Sequence, residues 1–205
     1  MKLIAAVCLL SLAQTGTATD KCPDAAHRRA FKAIMSQSQR FGRYDGLILE
    51  HAQKHHLNPR LVKSIIAAES RFYDGAVSPT GARGLMQVMP ATAEELGVPG
   101  SRLQEPAANL RAGTAYLDVL CGRARAIYAL KSAGCGGAPL WIQERIVAAY
   151  HAGPRMFHRE PARWPLQTRL YVKEVFLYYR SPATNLVRPP RRISPPAQRL
   201  VARAD

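Results

Sequence analysis

The chain has 205 residues, with 29 Lys+Arg against 14 Asp+Glu and a formal net charge of +15. That length supports one domain with a real core. A hydrophobic fraction of 47% excludes a wholly disordered chain. So large a positive charge draws polyanions: nucleic acid, anionic membrane surfaces and an acidic cell wall all qualify, and charge does not choose among them.

Lys2 and the short apolar run Leu3–Leu12, followed by the small residues Gly16 and Ala18, predict a signal peptide over residues 1–18. The apolar run is too short to span a bilayer, and an uncleaved anchor is the alternative reading. Neither Cys8 nor Cys22 has the context of a lipoprotein cysteine, and no later segment is apolar enough to span a membrane in the mature chain. The expected destination is therefore export, to the periplasm of a bacterium. Residues 19–44 form a polar, basic lead-in with one candidate helix near Ala25–Ser38.

A folded domain is expected over residues 45–180. Leu47, Ile48 and Ala52 predict a helix over Gly46–His55. Asn58-Pro59 supplies a cap and a first-turn proline for a helix through Leu61–Ser70. Phe72–Gly84 reads as loop, Pro90 opens a short helix, and Gly97 stops it. Leu110, Thr114, Leu117 and Cys121 predict a helix over Ala107–Cys121, followed by a connection around Ala124–Ser132. Ile142, Ile146, Ala149 and Tyr150 mark a further helix, and Val172, Val175, Phe176 and Tyr179 the last. No run alternates long enough for a convincing strand, so the fold class is mostly α, helices around one core. Residues 181–205 hold five prolines and five arginines (Arg188, Arg191, Arg192, Arg199, Arg203), which predicts a disordered basic tail.

Val62, Ile65, Ile66 and Glu69 share i, i+3, i+4, i+7 spacing, so Glu69 points where the apolar residues point. Desolvation and the negative helix C-terminus should both raise its pKa. A carboxyl kept protonated near neutral pH is what a general acid needs. Glu50, Glu144 and Glu174 sit away from their apolar stripes, Glu94 and Glu95 suit a first turn, and Asp118 is borderline. The structural alternative for Glu69 is a buried acid paired with a local cation such as Arg71.

Around Glu69 the chain reads A-A-E-S-R-F, then S-P-T-G-A-R-G-L-M-Q-V-M-P from Ser78 to Pro90. Asn109-Leu110 with Gly113 and Tyr116-Leu117, then Ala149–Pro154, then Thr168-Arg169 with Tyr171-Val172 follow in order. This arrangement resembles the soluble lytic transglycosylases over about Asp45–Tyr179. The resemblance implies a lysozyme-like α fold with a substrate cleft for peptidoglycan glycan strands. It implies cleavage of the β-1,4 bond after N-acetylmuramic acid with Glu69 as the one acid and base. It further implies that Ser78 and Tyr150 bond near the scissile sugar, that Gln87 and Met89 line the cleft, and that Asn109 and Tyr171 contact glycan. His151 stands where the family usually has Asn, and Gln167 where relatives often have Glu; Gly122–Pro139 looks longer than usual. The alternatives for these residues are a turn start for Ser78, core filling for Met89 and helix packing for Tyr171.

Two rival roles use the same domain: a wall-binding or scaffold part of a secretion or conjugation apparatus, and hydrolysis by water as in a goose-type lysozyme. Nucleic-acid binding has no recognised motif to support it. His51 and His55 lie four apart with His56 next, but without H-E-x-x-H a solvated face is expected, with no metal or other cofactor. Removal of the signal peptide takes Cys8 with it; Cys121 and Cys135 then enclose a loop that a disulfide would stabilise by roughly 3 kcal/mol, leaving Cys22 over. A different pairing stays open.

Overall fold

The structure, a computed structural model, describes residues 41–131 and 134–186. The signal peptide, the Ala25–Ser38 helix, Cys22 and the tail arginines lie outside the described residues.

Helix α1, Asp45–Lys54, buries Ile48 and Ala52. Helix α2, Pro59–Ser70, begins as its sequence dictates. The Asn58 side chain accepts the Arg60 and Leu61 amides, and Pro59 needs no partner in the first turn. From Leu61 to Ser70 every residue except Ala68 is buried, including Lys63 and Ser64, so α2 is the central helix. Its buried cation is neutralised: Lys63 Nζ lies 2.7 Å from Asp45 Oδ1 of α1 and donates to the Asn185 carbonyl at 3.0 Å. Removing one member of such a pair strands the other charge away from water.

The short helix α3, Pro90–Glu95, leads through a 3-10 turn at Gly100–Arg102 into α4, Pro106–Tyr128. Helices α5, Leu140–Ala152, and α6, Leu166–Arg180, follow. Helix α6 packs against both α2 and α5, while α4 packs against α5 and α1. Among the described residues there is no strand, only two isolated bridges joining Val77 to Arg83 and Arg83 to Val88. The mostly α expectation holds, and no helix among the described residues is long and apolar enough to cross a membrane.

Three boundaries differ from the sequence reading. Helix α4 continues through Gly122 to Tyr128, so most of the expected Ala124–Ser132 connection is helical. Leu120, Ala124 and Tyr128 extend its packed face at a spacing of four, and this outweighs the single helix-weakening glycine. The helix stops at Ala129, which takes the left-handed conformation (φ 50) without being glycine. At the other end of the domain, Ser181–Leu186 is docked rather than tail-like. Arg60 donates to the Ser181 carbonyl at 2.9 Å and Lys63 holds Asn185. The core also starts before Asp45, since Phe41 and Tyr44 are buried and Phe41 meets Phe72 with ring centroids 4.8 Å apart.

Candidate active site

Glu69 sits on the last turn of α2, 7% exposed, beyond Val62, Ile65 and Ile66 on the buried face. The chain leaves the helix abruptly there. Arg71 and Phe72 both take positive φ (51 and 61), and the Tyr73 amide bonds back to the Ser70 carbonyl at 2.9 Å. This turn returns the chain into the segment 76–89, and the carboxyl is left facing α6.

From α6 the Tyr171 hydroxyl donates to Glu69 Oε1 at 2.6 Å. Burial raises the Glu69 pKa from 4.5 to about 8; the Tyr171 hydrogen bond opposes this and the charge of Glu174 adds to it. Glu69 therefore carries its proton at neutral pH. Tyr171 is itself held well above the usual phenol range by burial first and then by Glu69, so it acts as a donor.

His151, in the last turn of α5, stacks on the Tyr171 ring at 4.4 Å and 24°. Its Nδ1 lies 3.4 Å from the buried Thr168 hydroxyl. Burial lowers its pKa to about 4, so the imidazole is neutral wherever Glu69 is a functional acid.

The segment 76–89 that follows is braced by the residues the sequence motif singled out. Asn109 accepts the Met86 amide at 2.7 Å and donates to the carbonyls of Arg83 (2.8 Å) and Leu103 (2.7 Å). Gln87 donates to the carbonyls of Ala76 and Gly84 at 3.2 and 2.9 Å, and Tyr150 donates to the Met86 carbonyl at 2.7 Å. Ser78 accepts the Ala82 amide at 2.9 Å and lies 3.0 Å from the Thr80 hydroxyl. Gly84 has φ +75, and a Cβ there would fall 2.1 Å from the Leu103 carbonyl oxygen, so only glycine fits. Gly113 leaves the space that Met86 fills, since its own Cβ would meet Met86 Sδ at 2.4 Å.

These contacts correct part of the sequence reading. Asn109 was expected to touch glycan, but it is 0% exposed and both ends of its amide hold backbone. Its chemistry is loop bracing. The Tyr150 hydroxyl gives its one proton to Met86, and Ser78 closes the turn that its proline suggested. Gln87 Oε1 is buried without a hydrogen-bond partner among the described residues, so this residue has one acceptor left. Met89, half-buried, precedes α3 directly, and Gln167 is exposed. Glu69, Tyr171 and His151 are drawn together at one point, and Tyr150 lies near enough to feel the charge of Glu69.

Glu174 was missed. It was placed off the apolar stripe of its helix, yet it is buried, one turn beyond Tyr171, with the Tyr178 hydroxyl donating to it at 3.4 Å. Tyr171, Glu174, Val175 and Tyr178 repeat the i, i+3, i+4, i+7 pattern that exposed Glu69, so the signal was present.

Among the described residues no group of three or more His, Cys, Asp or Glu could hold a metal. His55 Nδ1 instead meets Asp118 Oδ2 of α4 at 3.0 Å. Cys121 and Cys135 are both buried, free cysteines.

The chain is 36% identical over 105 residues to a membrane-bound lytic murein transglycosylase F of Desulfosudis oleivorans, covering 47% of this chain and 23% of that protein. It is 32% identical over 158 residues to the protein of the same name from Marinobacter nauticus, covering 69% of this chain and 30% of that one. An inactive glutamate-to-glutamine mutant of the lytic transglycosylase Slt from Pseudomonas aeruginosa superposes with a TM-score of 0.54 at 27% identity, over 77% of this chain and 28% of that chain. The chain thus spans under a third of the length of these relatives. The Transglycosylase SLT domain family matches residues 46–163, from α1 to the turn before α6, and the chain belongs to that family.

Proposed function

We propose that the chain is a peptidoglycan lytic transglycosylase that cuts the β-1,4 bond between N-acetylmuramic acid and N-acetylglucosamine. The observation that carries this reading is a single carboxyl, Glu69, held protonated to about pH 8 and oriented by a 2.6 Å hydrogen bond from Tyr171. Glu69 gives its proton to the glycosidic oxygen as the bond to the muramic C1 breaks. The resulting carboxylate then takes the proton of the muramic C6 hydroxyl, whose oxygen bonds to C1 of the same sugar. The proton that left Glu69 is replaced, and the product is a 1,6-anhydromuramic end. An intramolecular nucleophile needs no second carboxylate to hold a water. Glu174 is no such base, since it is buried beside Tyr178 on the same helix as Tyr171.

Membership of the SLT domain family and the activity named in the titles of its relatives support the substrate class. Glu69, His151 and Tyr171 are the residues we assign to the reacting sugar, with Gln87 and Met89 toward the cleft wall and Ser78, Asn109 and Tyr150 bracing it. Export to the periplasm, as the reading of residues 1–18 implies, brings the domain to its polymer, and the basic chain suits a wall rich in carboxylates.

The test is a digest of purified peptidoglycan by the native protein and by Glu69→Gln, read by mass spectrometry. Anhydromuramic products from the native protein alone are expected. Reducing-end products would replace the mechanism with hydrolysis, and binding without any product would leave a wall-binding role.

A further inference from the structure

The connection between α4 and α5 carries chemistry that the glycan site does not use. Cys121 lies on the last third of α4, beside the buried Leu120 and one turn past Asp118. Cys135 opens the turn that leads to α5, with the Ala138 amide bonded to its carbonyl at 3.1 Å. Both side chains are buried, and each thiol shifts the pKa of the other, Cys121 upward and Cys135 downward. Two buried cysteines on separate segments, near enough for each to perturb the other's thiol, are candidates for a bond between them.

The surroundings show what such a bond would hold. Gly134 packs so closely on the corner between α1 and α2 that a Cβ there would fall 2.4 Å from the His56 carbonyl oxygen. Gly136 approaches the same corner, 3.4 Å from the His56 oxygen and 3.5 Å from the Asn58 nitrogen by the same measure. Asn58 is the cap of α2, the helix that ends in Glu69. On the α4 side, Asp118 already ties His55, the last-turn neighbour of that corner, at 3.0 Å. Both sulfurs therefore sit where the α4–α5 connection is pressed onto the start of the catalytic helix.

We propose that Cys121 and Cys135 form a disulfide in the exported protein, clamping the α4–α5 connection over the corner that caps α2. Oxidation proceeds by exchange with a disulfide of a small molecule or a protein donor. One cysteine thiolate attacks the donor and releases one donor thiol; the second cysteine attacks the mixed disulfide and releases the other. The chain loses two protons and two electrons, and the donor gains them. Cys135 is the first nucleophile: the hydrogen bond from Cys121 holds its pKa below the ordinary thiol value, whereas Cys121 is held above it. Exchange occurs as the chain folds, before both sulfurs are buried. The bond closes a short loop, which limits the unfolded chain and leaves the glycan chemistry untouched. The inference rests on export into an oxidising compartment and not on the cleavage reaction.

The exported chain, residues 19–205, folded in a buffer of oxidised and reduced glutathione, is unfolded in the presence of iodoacetamide, digested without reduction and mapped by mass. A peptide pair joined through Cys121 and Cys135 is expected, with Cys22 alkylated. Alkylation of both Cys121 and Cys135, or a link from either to Cys22, overturns the proposal. Reduction of the native protein is expected to lower its Tm by about 10 °C. The variant with Cys121→Ser and Cys135→Ser should melt at that lower value with or without reductant. Equal melting of the oxidised and reduced native protein refutes the clamp. Because these readouts follow bonding and stability, a failure to cut glycan leaves them intact, and a missing bridge leaves the glycan assay intact.

Discussion

Substituting Glu69 by Gln should raise stability, and should do so only where the carboxyl is costly. The folded protein holds the Glu69 proton up to about pH 8, whereas the unfolded chain releases it near the ordinary value of 4.5. Between those values the folded state binds more protons than the unfolded state, so stability falls as pH rises. The contribution is intact below the unfolded value and is lost progressively until the pH passes the folded one. At about 1.36 kcal/mol per unit, the native protein loses roughly 3 kcal/mol from this group between about pH 4.5 and pH 7. Gln keeps an oxygen for the Tyr171 hydroxyl and has no proton to release. All other titrating groups are shared, so they cancel in the difference between the two proteins. Thermal unfolding of both, followed by circular dichroism, should show the Tm of the variant gaining about 6–12 °C on the native protein from pH 4.5 to 7. A gap that does not change with pH would mean that Glu69 ionises as an ordinary carboxyl, and the argument for a general acid would fall with it.

Tyr171→Phe removes the contact that lowers the Glu69 pKa, so the loss of peptidoglycan-clearing activity at alkaline pH should move up by about one unit, while kcat drops at least roughly tenfold because the carboxylate formed in turnover loses its donor. Glu174→Gln removes a like charge and should move the same limb down, toward neutrality, in the same clearing assay; a limb that stays in place would detach Glu174 from the site. Asn109→Ala leaves the Met86 amide and the Arg83 and Leu103 carbonyls without their partner, and urea unfolding should report a loss of about 2–5 kcal/mol. His151→Asn should leave the shape of the activity profile between about pH 5.5 and 7 unchanged, because the imidazole is neutral throughout; a native limb near the ordinary histidine value, absent in the variant, would refute that assignment.

Much of the fold was readable because it rests on local rules. The Asn58-Pro59 start of α2 and its apolar stripe required no tertiary knowledge, and they placed Glu69 on a buried face. The end of α4 was not readable, because Gly122 looks like a stop until the packing of Ala124 and Tyr128 is known. Proline and arginine content also obscured the docking of Ser181–Leu186, whose partners Arg60 and Lys63 lie more than a hundred residues earlier. In the site, motif residues were found but their tasks were not. Asn109 and Ser78 carry groups that suit a sugar as well as a backbone amide, and only burial and distance separate the two uses. Glu174 escaped because the stripe of the last helix was drawn through Val172, Val175, Phe176 and Tyr179, although its spacing to Tyr171 and Tyr178 marks the same buried face.

A one-carboxyl mechanism makes a demand that these placements meet together. The same group must hold a proton before cleavage and accept one afterwards, so its pKa must lie near the working pH, neither as low as a free carboxylate nor as high as a fully isolated buried one. Burial and Glu174 push Glu69 upward, and the Tyr171 hydroxyl holds it back to about 8. Tyr171 and Glu174 both come from α6, whose packing on α2 brings them to the carboxyl, while His151 from α5 seats the Tyr171 ring by stacking. Control of the acid is thus supplied by a helix beyond the Glu-Ser motif, which explains why α2 and its loop alone contain the reacting group but not the balance that makes it useful.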